Sequence, residues 1–135
     1  MSDDPHAVAF LSLLRGVSGL RVFPDEQGNT PTATTPLPYV VAWISVRYDL
    51  GDTLAAKSSR GVATATVHSV GANDTAARIT AGKVRTALLD VVPAMSGRRA
   101  YPIRHDDSPP ARPDESTGRR VFDQIDLYRL ESLPG

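Results

Sequence analysis

The sequence lacks cysteine entirely, and this absence excludes several kinds of site. A chain of 135 residues without cysteine has no disulfide, no thiolate zinc site, no cysteine nucleophile and no Cys-ligated iron–sulfur cluster. A long apolar run is also missing, since no stretch approaches the roughly 20 residues that a helix needs to cross a bilayer. The N-terminus has no basic flank. We therefore expect a single domain over residues 1–135 that is soluble, is not exported and has no membrane partner.

Excess charge of either sign is absent as well. The 15 basic and 15 acidic residues cancel, so the composition does not indicate a general polyanion-binding surface. Neither the GxxxxGK[ST] nor the GxGxxG motif occurs, which leaves nucleotide chemistry without a phosphate-binding loop. The pairs Arg98-Arg99 and Arg119-Arg120 have no interleaved aromatic residues, and we interpret them as solvated ends of loops and strands. A nucleic-acid-binding module is an open alternative, whose signature is salt-dependent binding to duplex DNA.

Two helices are predicted. Asp4-Pro5 has a capping residue followed by a proline suited to the first helical turn, so a helix is expected through Ala7 to Arg15. The second helix begins after Asn73. Its apolar stripe has spacings of four, three, four and three residues and consists of Ala77, Ala81, Val84, Leu88 and Val91. Ile79 lies on the opposite side of that helix, so an apolar side chain is predicted to face outward.

Strands are predicted over residues 20–23, 39–48, 61–70 and 119–132, where β-branched and aromatic residues are frequent. Ala63 and Ala65 alternate on one face of the third strand, which should let a helix approach closely. Within the proline-rich segment 93–118 only residues 100–104 are expected to pair. The fold class is therefore α+β: a mainly antiparallel sheet of about four to five strands, with two helices packed on one face and protruding loops, including a hairpin over 49–60.

Residues that are able to ligate a metal occur at His105-Asp106-Asp107, with His68 elsewhere in the chain. Their spacing does not match a known helical histidine pair, and they lie in a loop segment. We therefore predict no metal and no cofactor. A small metal-dependent hydrolase is kept as a further alternative, which metal analysis of the purified protein decides.

Other combinations that suggest chemistry have simpler interpretations. Ser69, His68 and Asp74 contain the groups of a nucleophilic triad, but adjacent residues of a strand point to opposite faces and do not hydrogen-bond as nucleophile and base. Trp43 and Tyr39 are interpreted as core or sheet-face packing rather than as a ligand cage. The residues themselves therefore predict no catalytic site.

The order of these elements resembles that of tail terminator proteins of long-tailed bacteriophages. An N-terminal helix and a short Val-Phe strand are followed by Leu37-Pro-Tyr-Val-Val41 at a strand entry. A strand ending in His68-Ser-Val-Gly71 precedes a helix that starts after Asn73, and a strand containing Asp126-Leu-Tyr-Arg-Leu130 closes the chain. The resemblance covers nearly the whole sequence.

This resemblance implies a structural role without catalysis. Six copies would form a ring on the tail tube, stop its polymerisation once the tape-measure protein has set the length, and present a surface for the head. The implied partners are further copies of the chain, the tail tube protein, a head-to-tail connector protein and the tape-measure protein. The location would be the tail or neck of the virion, and the host cytoplasm during assembly. Another connector component, a head-closure or adaptor protein, is the alternative within the same class.

A closed ring requires contacts in which one patch meets a different patch on the neighbouring subunit. A stable contact should bury at least about 1,000 Å², so the long segments 49–60 and 101–118 are expected to contribute beside the outward-facing helix residue. The residues predicted at subunit contacts are Asp49, Leu50, Leu54, Ile79, Tyr101 and Ile103.

DNA would pass through the ring without specific binding. Because duplex DNA has about one negative charge per 1.7 Å of axis, a strongly basic channel would retain it, and a neutral or acidic lumen is expected. The lumen candidates are Asp49, Asp52, Asp106 and Asp107.

Overall fold

A mixed sheet carries two helices on one of its faces in the computed structural model, which describes residues 4–25, 27–50 and 58–134. The side chains of residues 49, 50, 58 and 59 lie outside that description. The described elements are α1 (Pro5–Arg15), β1 (Arg21–Phe23), β2 (Tyr39–Leu50), β3 (Ser58–Gly71), α2 (Asp74–Leu88), β4 (Arg98–Ala100), β5 (Arg104–Asp107), β6 (Arg112–Asp114) and β7 (Val121–Pro134). The α+β class and the placement of both helices are confirmed.

Seven strands are found among the described residues, rather than the four to five predicted. The order β1-β2-β3-β7 forms the body of the sheet, with β1 parallel to β2 and the other neighbours antiparallel. The additional strands are β4, β5 and β6, which pair one after another along the far side of β7. Their sequences are short and polar, so they lack the alternation of apolar residues from which a strand is predicted. They form because the backbone groups of the 14-residue β7 need partners on that side.

Both helices begin where capping chemistry predicts. Asp4 accepts a hydrogen bond from the backbone N–H of His6 at the start of α1, at 2.8 Å. Asn73 accepts one from the N–H of Ala76 at the start of α2, also at 2.8 Å. Each cap satisfies a backbone donor that the first turn of a helix leaves without a partner.

The main core lies between the helices and one face of the sheet. Phe10 and Leu14 of α1 are fully buried there, as are Val84 and Leu88 of α2. They pack over a surface of small residues on β3, where Ala63 and Ala65 have no exposed area. The predicted close approach of a helix is confirmed: at Gly71 an added Cβ would lie 2.6 Å from the backbone nitrogen of Ala77.

Helix α2 ends at Leu88, before the predicted last member of its stripe, Val91. Leu89 adopts an extended backbone, and the chain then runs beside residue 103. The N–H of Asp90 donates to the carbonyl of Ile103, and the N–H of Ile103 donates to the carbonyl of Val91, both at 2.9 Å. This local pairing replaces another helical turn and draws Ile103 into the core.

The predicted hairpin over 49–60 is supported at its base, because β2 and β3 pair as far as Asp49 with Arg60 and Leu50 with Ser58. Asp52 and Leu54 lie outside the described residues. Neither described helix, of 11 and 15 residues, is long and apolar enough to cross a membrane.

Candidate assembly surfaces

The outward-facing side of α2 carries an apolar groove. Ile79 is 58% exposed, as its helical position predicted. It lies in a shallow groove of about 410 Å³ that is lined by Val17, Ile79, Gly82, Lys83, Thr86 and Ala87. We call this set the α2 groove. An exposed isoleucine within a mostly apolar depression is suited to receive an apolar side chain from another protein.

The two candidates in segment 101–118 have opposite environments. Tyr101 is 49% exposed and is held by its backbone N–H, which donates to the carbonyl of Glu131 at 2.9 Å. Ile103 has no exposed surface and packs with the core residues Leu88 and Tyr128. The prediction that Ile103 lies at a subunit contact is therefore wrong, because its side chain fills the core of its own subunit. Tyr101 keeps an accessible ring.

The acidic candidates lie on two elements. Asp106 and Asp107 are exposed on β5, and Asp106 is 3.7 Å from the guanidinium of Arg129. Asp49 belongs to β2, but its side chain, like that of Leu50, is not described. Asp52 and Leu54 fall outside the described residues. The structure thus locates two accessible carboxylates for the proposed lumen.

The residues that were considered as metal ligands are separated by the fold. His105 Nε2 lies 3.0 Å from Oδ1 of Asp126 beneath α2, whereas His68 Nδ1 lies 2.8 Å from Oδ2 of Asp123 on the other face of the sheet. Among residues 4–25, 27–50 and 58–134, no three His, Asp or Glu side chains converge as a metal site would require. Each histidine instead pairs with a carboxylate of β7.

A Ser–His–Asp arrangement occurs at residues for which no sequence pattern predicted one. His6 Nδ1 lies 2.7 Å from Oδ1 of Asp4, and His6 Nε2 lies 2.7 Å from Oγ of Ser132. Arg98 Nε also donates to Ser132 Oγ at 2.6 Å, and the hydroxyl of Tyr48 donates a hydrogen bond to Oδ2 of Asp4. These five residues, Asp4, His6, Tyr48, Arg98 and Ser132, form what we call the N-terminal network.

The N-terminal network is structural rather than nucleophilic. His6 and Ser132 have no exposed surface, so a substrate has no access to the hydroxyl. Ser132 Oγ also accepts from Arg98 Nε at 2.6 Å, so the hydroxyl oxygen is held between two partners. Although partial burial raises the pKa of Asp4, the hydrogen bonds from Tyr48 and His6 outweigh it and lower that pKa. The arrangement fastens the start of α1 to β2, β4 and β7.

The sheet face opposite the helices is covered at one end, where Phe23, Tyr39, Val70 and Val121 form a second buried cluster, and is open around Trp43. It presents Trp43 of β2, which is 51% exposed, although it was expected to pack like Tyr39, which is buried. Beside Trp43 a pocket of about 140 Å³ opens, lined by Pro31, Tyr39, Val41, Trp43, His68, Val70, Asp114, Ser116, Thr117 and Asp123. We call it the Trp43 pocket. The hydrogen bond to Asp123 raises the pKa of His68, against the opposing effect of burial.

Comparison with known proteins places this architecture beside a virion component. The chain is similar to a solved chain in the virion of a native gene transfer agent particle, with a TM-score of 0.63 and 18% sequence identity, over 96% of this chain and 99% of that chain. No sequence family and no curated protein matches this chain. At this level of identity the likeness shows a shared fold, which extends over nearly the full length of both chains.

Proposed function

We propose that this chain is a structural subunit of a phage-like virion, located at the tail or neck, that closes into a six-membered ring and caps the tail tube. The observation that carries the proposal is the full-length likeness of its fold to a chain of a gene transfer agent virion. The tail-terminator resemblance of its element order specifies the role further. In this role the ring stops tube polymerisation, presents the surface for the connector protein and catalyses no reaction.

The distribution of exposed apolar residues supports assembly. The α2 groove around Ile79 lies on the outer side of α2, whereas Tyr101 lies on the segment after β4, next to β7. A ring contact joins two different patches, and separate accessible patches on one subunit meet that requirement. We therefore assign Ile79 to one side of the contact and Tyr101 to the other.

The accessible carboxylates Asp106 and Asp107 are assigned to the lumen. They would keep the channel from retaining DNA, which passes through without specific binding. Because Asp106 is close to Arg129, the charge at this position is partly compensated, and the expected channel is weakly acidic.

Imaging of the purified protein by negative stain, combined with a mass measurement in solution, tests ring formation. We expect six-membered rings. A stable monomer at micromolar concentration would contradict the proposal. Capping is tested separately by adding the protein to polymerising tail tube protein and measuring tube length over time. Growth should stop at substoichiometric amounts of ring relative to tube subunits, because only the tube end binds.

A head-closure or adaptor protein is the second candidate, since the same virion likeness supports any connector component. The two roles differ in their partner. A capping protein arrests tube growth, whereas a head-closure or adaptor protein binds the portal-side proteins and leaves tube growth unchanged. Pull-down against each partner, performed with the same ring preparation, decides between them.

A further inference from the structure

We propose that the Trp43 pocket binds the guanidinium group of an arginine side chain presented by a protein partner. The inference depends on the pocket alone and does not require the tail-capping role. It names the chemistry of a contact on the sheet face that the helices leave uncovered.

The polar side of the pocket offers acceptors and a net negative charge. Asp123 Oδ2 is paired with His68 at 2.8 Å, while its Oδ1 is buried and has no hydrogen-bond partner among the described residues. Thr117 Oγ1 is also buried and has no hydrogen-bond partner among the described residues. Asp114 adds a second carboxylate to the lining. Buried polar atoms normally have partners, so these two oxygens leave unmet hydrogen-bonding capacity beside the pocket, and a donor that enters it reaches them once the side chain of Asp123 or Thr117 turns towards it.

The apolar side of the pocket is aromatic and open. Trp43 exposes half of its surface at the rim, and Val41 and Tyr39 form the adjoining wall. A guanidinium stacks on an indole face while its N–H groups reach a carboxylate, a combination that the compact ammonium of lysine matches less well. Arginine is therefore the cation that uses both sides of the pocket at once.

The size of the pocket favours a side chain over a free metabolite. Its volume of about 140 Å³ is below the roughly 300 Å³ at which small-molecule sites begin. A planar head group enters such a space, and the rest of its binding surface must be provided by the protein that carries it. The uncovered sheet face around Trp43 gives that protein room to contact this chain.

The charges that face the pocket come from three elements. Asp114 of β6 and Asp123 of β7 are negative, and His68 of β3 is the titratable group between them. Burial raises the pKa of Tyr39, and the positive charge of Arg119 in the adjoining loop opposes this effect. The Arg119 guanidinium donates to the carbonyl of Thr35 at 2.7 Å. None of the ten described lining residues is lysine or arginine. A cation is thus favoured, and more strongly when His68 is neutral.

The sole tryptophan of the chain reports occupancy directly. Acetyl-arginine-amide is titrated while Trp43 fluorescence is recorded, with acetyl-citrulline-amide as the uncharged probe of nearly identical shape. We expect a saturable change with the arginine probe in the millimolar range and none with the citrulline probe. The affinity should rise as the pH increases through the pKa of His68. An equal response to both probes, or a response to neither, would overturn the proposal.

Variants distinguish arginine binding in the Trp43 pocket from a general effect of removing a negative charge. Asp123→Asn should weaken binding about tenfold, which corresponds to about 1.4 kcal/mol. Asp74→Asn removes an exposed carboxylate on α2 and should leave binding unchanged. If Asp123→Asn does not fold, as judged by circular dichroism, Asp114→Asn provides the same comparison. Equal binding by the pocket variant and the wild-type chain would contradict the assignment.

Probe binding and ring formation by the same variants show which protein occupies the Trp43 pocket. If the free probe does not bind and Asp123→Asn abolishes rings, the pocket is part of the contact between copies of this chain, and the proposal of an accessible arginine-binding pocket is overturned. Rings that cap tubes normally but never bind the arginine probe, with or without Asp123, refute this inference and leave the proposed function intact. If the chain binds arginine but never forms rings, the pocket assignment stands and the proposed function is refuted.

Discussion

The Nε2 atom of His6 lies 2.7 Å from Oγ of Ser132, so one hydrogen bond joins the first turn of the chain to its last strand across 126 positions. Both residues are fully buried. The same hydroxyl accepts from Arg98, and the ring of Tyr48 lies under that guanidinium at 5.2 Å. Ser132 Oγ therefore joins α1, β4 and β7, and Tyr48 connects β2 to the N-terminal network through Asp4 and the Arg98 guanidinium.

Replacement of Ser132 by alanine should destabilise the fold. The change removes the group to which both His6 Nε2 and Arg98 Nε bond, and a buried polar group that loses its partner costs about 1–3 kcal/mol. Urea denaturation that is followed by circular dichroism measures the loss. Ser12→Ala, on the exposed side of α1, serves as the control and should change the unfolding free energy by less than about 0.5 kcal/mol.

Gly61 should tolerate no larger residue. An added Cβ would lie 2.6 Å from Cε1 of His6 and 3.1 Å from Cε1 of Tyr48, inside the N-terminal network. Gly61→Ala should cost about 1–3 kcal/mol because a packed site has to shift. Gly82, inside α2, has open space at the same position, so Gly82→Ala should stabilise by about 1 kcal/mol through helix propensity. Thermal unfolding of the two variants compares them, and equal signs would contradict the packing argument.

Local patterns were sufficient to predict much of this fold. The caps at Asp4 and Asn73 and the alternation of Ala63 and Ala65 are properties of a few neighbouring residues, and the elements form where those residues predict them. The exposure of Ile79 followed from helical geometry alone. These features depend on short-range physics, which a single sequence contains.

The remaining features depend on partners that are distant in sequence. Strands β4, β5 and β6 exist because β7 offers them an edge, and their polar sequences do not show this. The pairing of His6 with Ser132 has no local signal in the sequence, because the two residues are 126 positions apart. Ile103 was misassigned because an isolated isoleucine in a proline-rich segment has the same pattern whether it faces the core or a neighbour.

Ile103 and Tyr101 should separate stability from assembly. Ile103→Ala leaves a cavity in the core and should cost about 2–5 kcal/mol of unfolding free energy. Tyr101→Ala removes a half-exposed phenol side chain, so the monomer should keep its stability while assembly of the six-membered ring weakens. Denaturation midpoints and sedimentation velocity give the two readouts. If Tyr101→Ala lowers stability as much as Ile103→Ala does, the exposed assignment of Tyr101 is wrong.

The pH dependence of stability should have two separate windows. The pKa of His68 is raised above 6.5 in the folded state by its hydrogen bond to Asp123. The stability that protonated His68 contributes is therefore complete below pH 6.5 and is lost as the pH rises through the pKa of the folded state. The pKa of Asp4 is lowered from 3.8, so its contribution is present above 3.8 and is lost as the pH falls through the folded value.

Denaturation of the wild-type chain and of His68→Gln over this range tests the first window. The variant should lose the decline in stability above 6.5 and keep the acid-side decline that Asp4 produces. An unchanged decline at high pH in the variant would show that another group causes it. Asp123→Asn should have the same effect as His68→Gln, because either change removes the pair.

Ile79→Asp should weaken ring assembly without unfolding the subunit. The side chain is 58% exposed in the monomer, so a carboxylate there is solvated, but in a subunit contact it would be buried against the apolar α2 groove. The protein concentration at half assembly should rise by more than about tenfold, equivalent to about 1.4 kcal/mol per contact. Mass photometry over a dilution series measures this, with circular dichroism as the check on folding. Val8→Asp makes the same change at a 50% exposed position of α1 and is the matched control. Equal weakening by both variants would indicate a general charge effect, whereas intact rings with Ile79→Asp would remove the α2 groove from the contact.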